Sequence, residues 1–185
     1  MENKRECVIP LHNPSLKEKA FFFASGLLVS VPFSLFFSQF YGIVPLVVST
    51  VLFAPFIEEL AKVFPLFYRH GETERSMVTL GTLIGLGFGL TEMFLYVFVL
   101  GAPVLSRIPG VIFHASSAAI TSYGIAKKNP LPYFIISVML HVGNNFFAST
   151  GDLLLGLLAE LLILITVYYL AWSLYHRSSK EKIVV

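Results

Sequence analysis

Phe56-Ile57-Glu58-Glu59-Leu60-Ala61-Lys62 is the stretch whose reading decides the fold. It lies inside an apolar run, Ile43 to Tyr68, long enough to cross a bilayer. Each ionised side chain at that depth costs about 3 kcal/mol on insertion scales. On a helix Glu58 and Lys62 share a face one turn apart, and Glu59 sits about 100° round. The segment is therefore either a self-neutralised ion pair that ties helices together or a working site in the membrane. Polar groups elsewhere in the chain bear on that choice.

Working outward, the surrounding 185 residues are 56% hydrophobic, with 18 Phe, a mean hydropathy of +0.77 and only 13% charged residues. A soluble domain carries about a quarter charged residues. The composition predicts an all-α, polytopic integral membrane bundle formed by one domain, residues 1–185. Its expected surroundings are the lipid bilayer. A net charge of +2 without a basic stripe gives no reason to expect nucleic acid. Cys7 is the single cysteine, so no intrachain disulfide forms. Met1 to Lys19 reads as a polar arm with Pro10 and Pro14. The apolar run after it is long enough to span, so an uncleaved first span is expected to serve as the insertion signal.

Six apolar runs follow the membrane length rule: Ala20 to Tyr41, Ile43 to Tyr68, Met77 to Gly101, Ile108 to Ala126, Leu131 to Thr150 and Leu153 to Tyr175, with a basic tail over 176–185. Pro32 and Pro55 are expected to kink the first two spans, and Pro55 lies one turn before the acidic pair. With the N-terminus placed in the cytoplasm, Lys4, Arg5, Lys17, Lys19, Arg69, Arg75, Lys127, Lys128, Arg177, Lys180 and Lys182 all fall on that side. Only Arg107 falls outside, and Lys62 is in the membrane. This asymmetry predicts six spans with both termini cytoplasmic.

Polar groups recur at depth: Glu58, Glu59, Lys62, Glu92, His114, His141, Asn144, Asn145 and Glu160. Counting from the cytoplasmic boundary, the acidic pair comes out about 15–16 Å deep, His141 about 16 Å, His114 about 20 Å and Glu92 about 25 Å. Four spans thus bring a carboxylate or imidazole toward one layer. Gly81, Gly85 and Gly89 predict close helix packing in the third span. Asn145 lies one turn after His141. Such a set suits hydrolysis within lipid, which needs a base for water and donors for an oxyanion. His114, His141 and Glu92 would also supply the two-histidine, one-glutamate ligand set of a zinc hydrolase, although the local H-E-x-x-H spacing is absent.

Taken in order, Glu58-Glu59-x-x-Lys62, Phe88-x-x-x-Glu92, His114 and His141-x-x-x-Asn145 resemble the motif series of the PrsW intramembrane proteases. Those are relatives of the CAAX prenyl endopeptidases and bacterial Abi proteins. The resemblance covers about Ala54 to Asn145. Glu92 and Lys62 stand where CAAX-type relatives carry histidine and arginine, which favours the PrsW branch. The resemblance implies an enzyme of a prokaryotic cell membrane that cuts a membrane-anchored protein such as an anti-sigma factor. It implies Glu58 and Glu59 as the water-activating pair, with Glu92, His114 and His141 essential. Asn145 would be an oxyanion donor, with Lys62, Phe88 and Asn144 in support. Whether the mechanism is glutamic or zinc-assisted stays open at this point. A proton- or cation-coupled transporter and a catalytically silent membrane scaffold are the competing classes, since intramembrane carboxylates and histidines also build ion relays. Neither inverted repeats nor paired broken helices favour transport. The role of Glu160 is open: a bridge between helices or a lining group.

Overall fold

The computed structural model describes residues 13–38, 45–68, 72–150, 152–182 and 184. The expectations attached to Lys4, Arg5, Cys7, Pro10, Tyr41, Ile43 and Arg69 lie outside the described residues. The described chain is all-helical, with no strand. Its helices are α1 (Leu16–Ser38), α2 (Leu46–Val48), α3 (Ala54–Val63), α4 (Glu74–Phe94), α5 (Val104–Ala126), α6 (Pro130–Ser149) and α7 (Leu153–Arg177). A π-helical turn, Ser49–Phe53, joins α2 to α3, and a 3₁₀ turn, Phe64–Tyr68, continues α3. These four pieces form one rod, so the bundle has six.

Local sequence sets the ends. Ser15 and Glu18 form a capping box: Ser15 N–H donates to Glu18 Oε2 at 2.7 Å, and Glu18 N–H to Ser15 Oγ at 3.3 Å. α1 therefore starts at Leu16, four residues before the expected span. Thr73 caps α4 by accepting from Ser76 N–H, and Asp152 caps α7 by accepting from Leu155 N–H. α5 starts at Val104, not at Ile108 as expected. Pro109 lies within its first two turns and forfeits only the bond to the Leu105 carbonyl. That shift brings Arg107 from the expected outer loop into the helix.

Three helices are long and apolar enough to cross a membrane: Glu74–Val99, which is α4 with its following π turn, Pro130–Ser149 and Leu154–Arg177. α5 is as long as α1 but lies inside the bundle, against α4, α6 and α7. Ser116, Ser117, Ala118, Ala119, Thr121 and Ser122 are all buried there. Small side chains bring the rods together. A Cβ on Gly85 would stand 2.2 Å from the His114 carbonyl oxygen, and one on Gly26 would stand 2.0 Å from that of Ile84. Backbone contact at these two points fixes α4 against α5 and α1 against α4. Phe22, Leu66, Met77, Leu80 and Ile84 fill one core, and Val78, Phe113, Ile120 and Val167 another.

One end of the bundle is closed by the tail. The Glu74 side chain, at the start of α4, is fully buried. Its Oε2 receives Lys127 Nζ at 2.6 Å and Ser179 N–H at 2.9 Å. That bond holds the Lys127 ammonium above the usual lysine range. Beyond α7 the chain runs back along the α4 N-terminus. Arg75 N–H donates to Ser179 O at 2.9 Å, Glu74 N–H to Lys182 O at 3.1 Å, and Val184 N–H to Glu72 O at 2.7 Å. The start of α4, the end of α5 and the end of α7 therefore share one face, as alternating up-and-down rods require. The tail, expected as a basic extension, is docked.

Candidate functional site

Pro55 shapes the rod that carries the acidic pair. It has no N–H, so it donates to neither the Val51 nor the Thr50 carbonyl. Ala54 N–H instead reaches back five residues to Ser49 O, which is the π turn. The Thr50 carbonyl receives the side chain of Asn145, Nδ2 to O at 3.0 Å. The rod that loses a backbone bond at Pro55 thus regains one from α6.

Lys62 and Glu59, three residues apart, are both wholly buried. Lys62 Nζ lies 2.5 Å from Glu59 Oε1, 2.8 Å from His114 Nδ1 and 3.3 Å from Ser117 Oγ, with the Phe88 ring centroid at 5.2 Å. Its partner in the pair is Glu59, not the Glu58 that lies one turn away. Glu59 Oε1 also accepts from Ser117 Oγ at 3.1 Å and faces His141 Nδ1 at 2.9 Å. These bonds set the tautomers. An ammonium donates to His114 Nδ1, so the His114 proton sits on Nε2 and is given to Glu92 Oε2. His141 gives its Nδ1–H to Glu59, leaving a lone pair on Nε2. That Nε2 points at Glu58 Oε2, 3.7 Å away and too far for a direct hydrogen bond. Glu58 Oε2 is buried with no hydrogen-bond partner among the described residues.

The two histidine rings stand 5.2 Å apart, with His114 5.1 Å from the Phe88 ring and His141 5.0 Å from the Phe113 ring, centroid to centroid. Beside them opens a chamber of about 770 Å³. Glu58, Glu92, His141, Asn144, Asn145 and Glu160 line it, and so does Arg107. Glu59, Lys62 and His114 do not reach it; they lie behind its wall. The expected residues therefore converge, but in two layers. Glu160, left open by the sequence, lines the chamber from α7. Arg107 was assigned to an outer loop, yet its Nη2 lies 3.5 Å from Glu92 Oε1 and its guanidinium stacks 3.7 Å over Tyr96. Its spacing of seven residues before His114, two helical turns, is the sequence signal that would have found it. Ser117, which joins Lys62 to Glu59, carried no signal beyond its small size.

The chain matches no protein-family model, no curated protein and no solved structure.

A metal ion would find ligands here, but from a set different from the expected one. Glu58, His114 and His141 each offer a ligand atom within 4.8 Å of the others, so this cluster could hold a metal ion. Glu92, expected as the third ligand, is not part of it: its carboxylate is taken by His114 and Arg107. Two of the three fit at once. His141 Nε2 has a free lone pair and a carboxylate behind its other nitrogen, and Glu58 Oε2 has no hydrogen-bond partner among the described residues. His114 has both nitrogens engaged and would have to release Glu92 or Lys62 to bind. Asn145, expected as an oxyanion donor, has given an amide hydrogen to Thr50, whereas Asn144 makes no side-chain bond among the described residues.

Proposed function

We propose that the protein is an intramembrane peptidase that hydrolyses a peptide bond of a membrane-anchored protein with glutamate-activated water. The observation that carries this reading is the gap between Glu58 Oε2 and His141 Nε2, two hydrogen-bond acceptors 3.7 Å apart on a chamber wall. Water has two hydrogens to give, one to each, which leaves its lone pair free toward the chamber. Glu59 acts behind the wall. Three donors converge on its Oε1, and it holds His141 in the required tautomer.

The reaction balances on these groups. Glu58 takes a proton as the water oxygen bonds to the carbonyl carbon, and the carbonyl electron pair moves to oxygen. Collapse reforms the carbonyl and breaks the C–N bond. The leaving nitrogen takes the proton held by Glu58, giving an amine and a carboxylic acid. The motif series of the PrsW proteases points to the same chemistry, to a prokaryotic cell membrane and to an anti-sigma factor or similar substrate. The Lys and Arg asymmetry supports six spans with both termini in the cytoplasm.

A metal-assisted version of the same hydrolysis is favoured by the Glu58, His114 and His141 cluster. Zinc bound there would lower the pKa of its water toward about 7. The test reconstitutes the protein with labelled single-span peptides in vesicles and follows cleavage by mass spectrometry. Glu58→Gln is expected to lose about 10²–10⁴-fold in turnover, at unchanged melting temperature. Turnover near the parent's in that variant would refute the role of Glu58. Unchanged activity after prolonged chelation would remove the zinc version alone.

A further inference from the structure

Resting on that hydrolytic reading, we propose that Arg107 is a catalytic residue whose guanidinium receives the carbonyl oxygen as negative charge builds on it. The chamber makes the need plain. Its lining holds the carboxylates of Glu58, Glu92 and Glu160, and Arg107 is the one lysine or arginine among the described residues that line it. An oxyanion formed beside three carboxylates requires a nearby positive charge. Lys62 cannot serve, because its three hydrogens go to Glu59, His114 and Ser117 behind the wall.

The Arg107 fork is held ready but under-used. Tyr96 fixes its plane at 3.7 Å. Its single ion pair is long, 3.5 Å to Glu92 Oε1, and Glu92 has a closer partner in His114. Arg107 Nε is buried with no acceptor among the described residues. A buried charged donor with no acceptor is unusual, so the protein leaves part of the guanidinium's hydrogen-bonding capacity unused. Asn145 has one amide hydrogen committed to the Thr50 carbonyl and brings no charge. Asn144 makes no side-chain bond among the described residues, but a neutral amide hydrogen-bonds about half as strongly as a charged donor.

The measurement uses the full chain in vesicles with the same single-span peptides, and separates kcat from KM. Arg107→Met is expected to lower kcat about 10²–10³-fold, the effect of removing one oxyanion donor, with KM and melting temperature close to the parent's. Millimolar guanidinium is expected to restore part of that loss, which a purely structural partner of Glu92 would not allow. Arg107→Lys, which keeps the charge without the fork, is expected to fall between the two. If Glu58→Gln abolishes cleavage but Arg107→Met leaves kcat within about threefold, or loses activity only through KM or instability without rescue, this inference fails alone. If the parent cuts no peptide, the hydrolytic reading and this inference fall together.

Discussion

Replacing Lys62 by methionine keeps the length of the side chain and removes its charge. The ammonium makes three hydrogen bonds, the shortest 2.5 Å to Glu59, and both residues are fully buried. Its loss leaves a buried carboxylate supported only by Ser117 and His141. Breaking one side of a buried pair costs about 3–5 kcal/mol. At roughly 2–4 °C per kcal/mol for a chain of this size, the melting temperature should fall by about 6–20 °C. Glu59→Gln should cost a similar amount. The double variant removes both charges and should lose much less than the sum, a coupling of about 2–3 kcal/mol. Thermal unfolding in detergent, by tryptophan fluorescence or size exclusion, measures all three. Additive losses would refute the pairing, and so would a Lys62→Met protein as stable as the parent.

Gly85→Ala should destabilise the bundle by about 1–3 kcal/mol and also reduce turnover per folded molecule, because the new methyl meets the His114 carbonyl. Gly26→Ala makes an equally close contact with Ile84 but touches no chamber residue, so it should lower the melting temperature and spare turnover. Equal activity losses in the two would break the link between Gly85 and the site. Topology is checked by reporter fusions: one after Lys128 should read cytoplasmic and one after Ala102 external, and the reverse pattern would overturn the charge argument.

How far the sequence reaches is clearest at single residues. Apolar runs of spanning length located all six rods, three of which are long and apolar enough to cross a membrane. Their ends moved where capping decided, as at Ser15 and Glu18. Glu58, Glu59, Glu92, His114, His141 and Asn145 stood out because polar groups at depth are costly, and α3 to α6 bring them together. Their partners were not legible. A helical wheel gives the direction of a side chain on its own helix, not what a neighbouring helix puts in front of it. Thus Lys62 was placed on the face of Glu58 but bonds Glu59, His114 and Ser117. Glu58, not Glu92, joins the histidines in the metal-capable cluster. Asn145 serves a carbonyl freed by Pro55, ninety-five residues apart from it in the Thr50 pairing, a link no local pattern carries.

The docked tail has a consequence for how the protein is made. Glu74 emerges from the ribosome long before its partners: Lys127 follows 53 residues later and Ser179 105 residues later. Between Glu74 and Ser179 lie α4, α5, α6 and α7. Through all of that synthesis the carboxylate lacks its full set of partners, and it can be closed over only once Ser179 has left the exit tunnel. Closure of this end therefore follows the synthesis of all four helices. A nascent chain halted before Ser179 would keep that end ajar although α4, α5, α6 and α7 were already made.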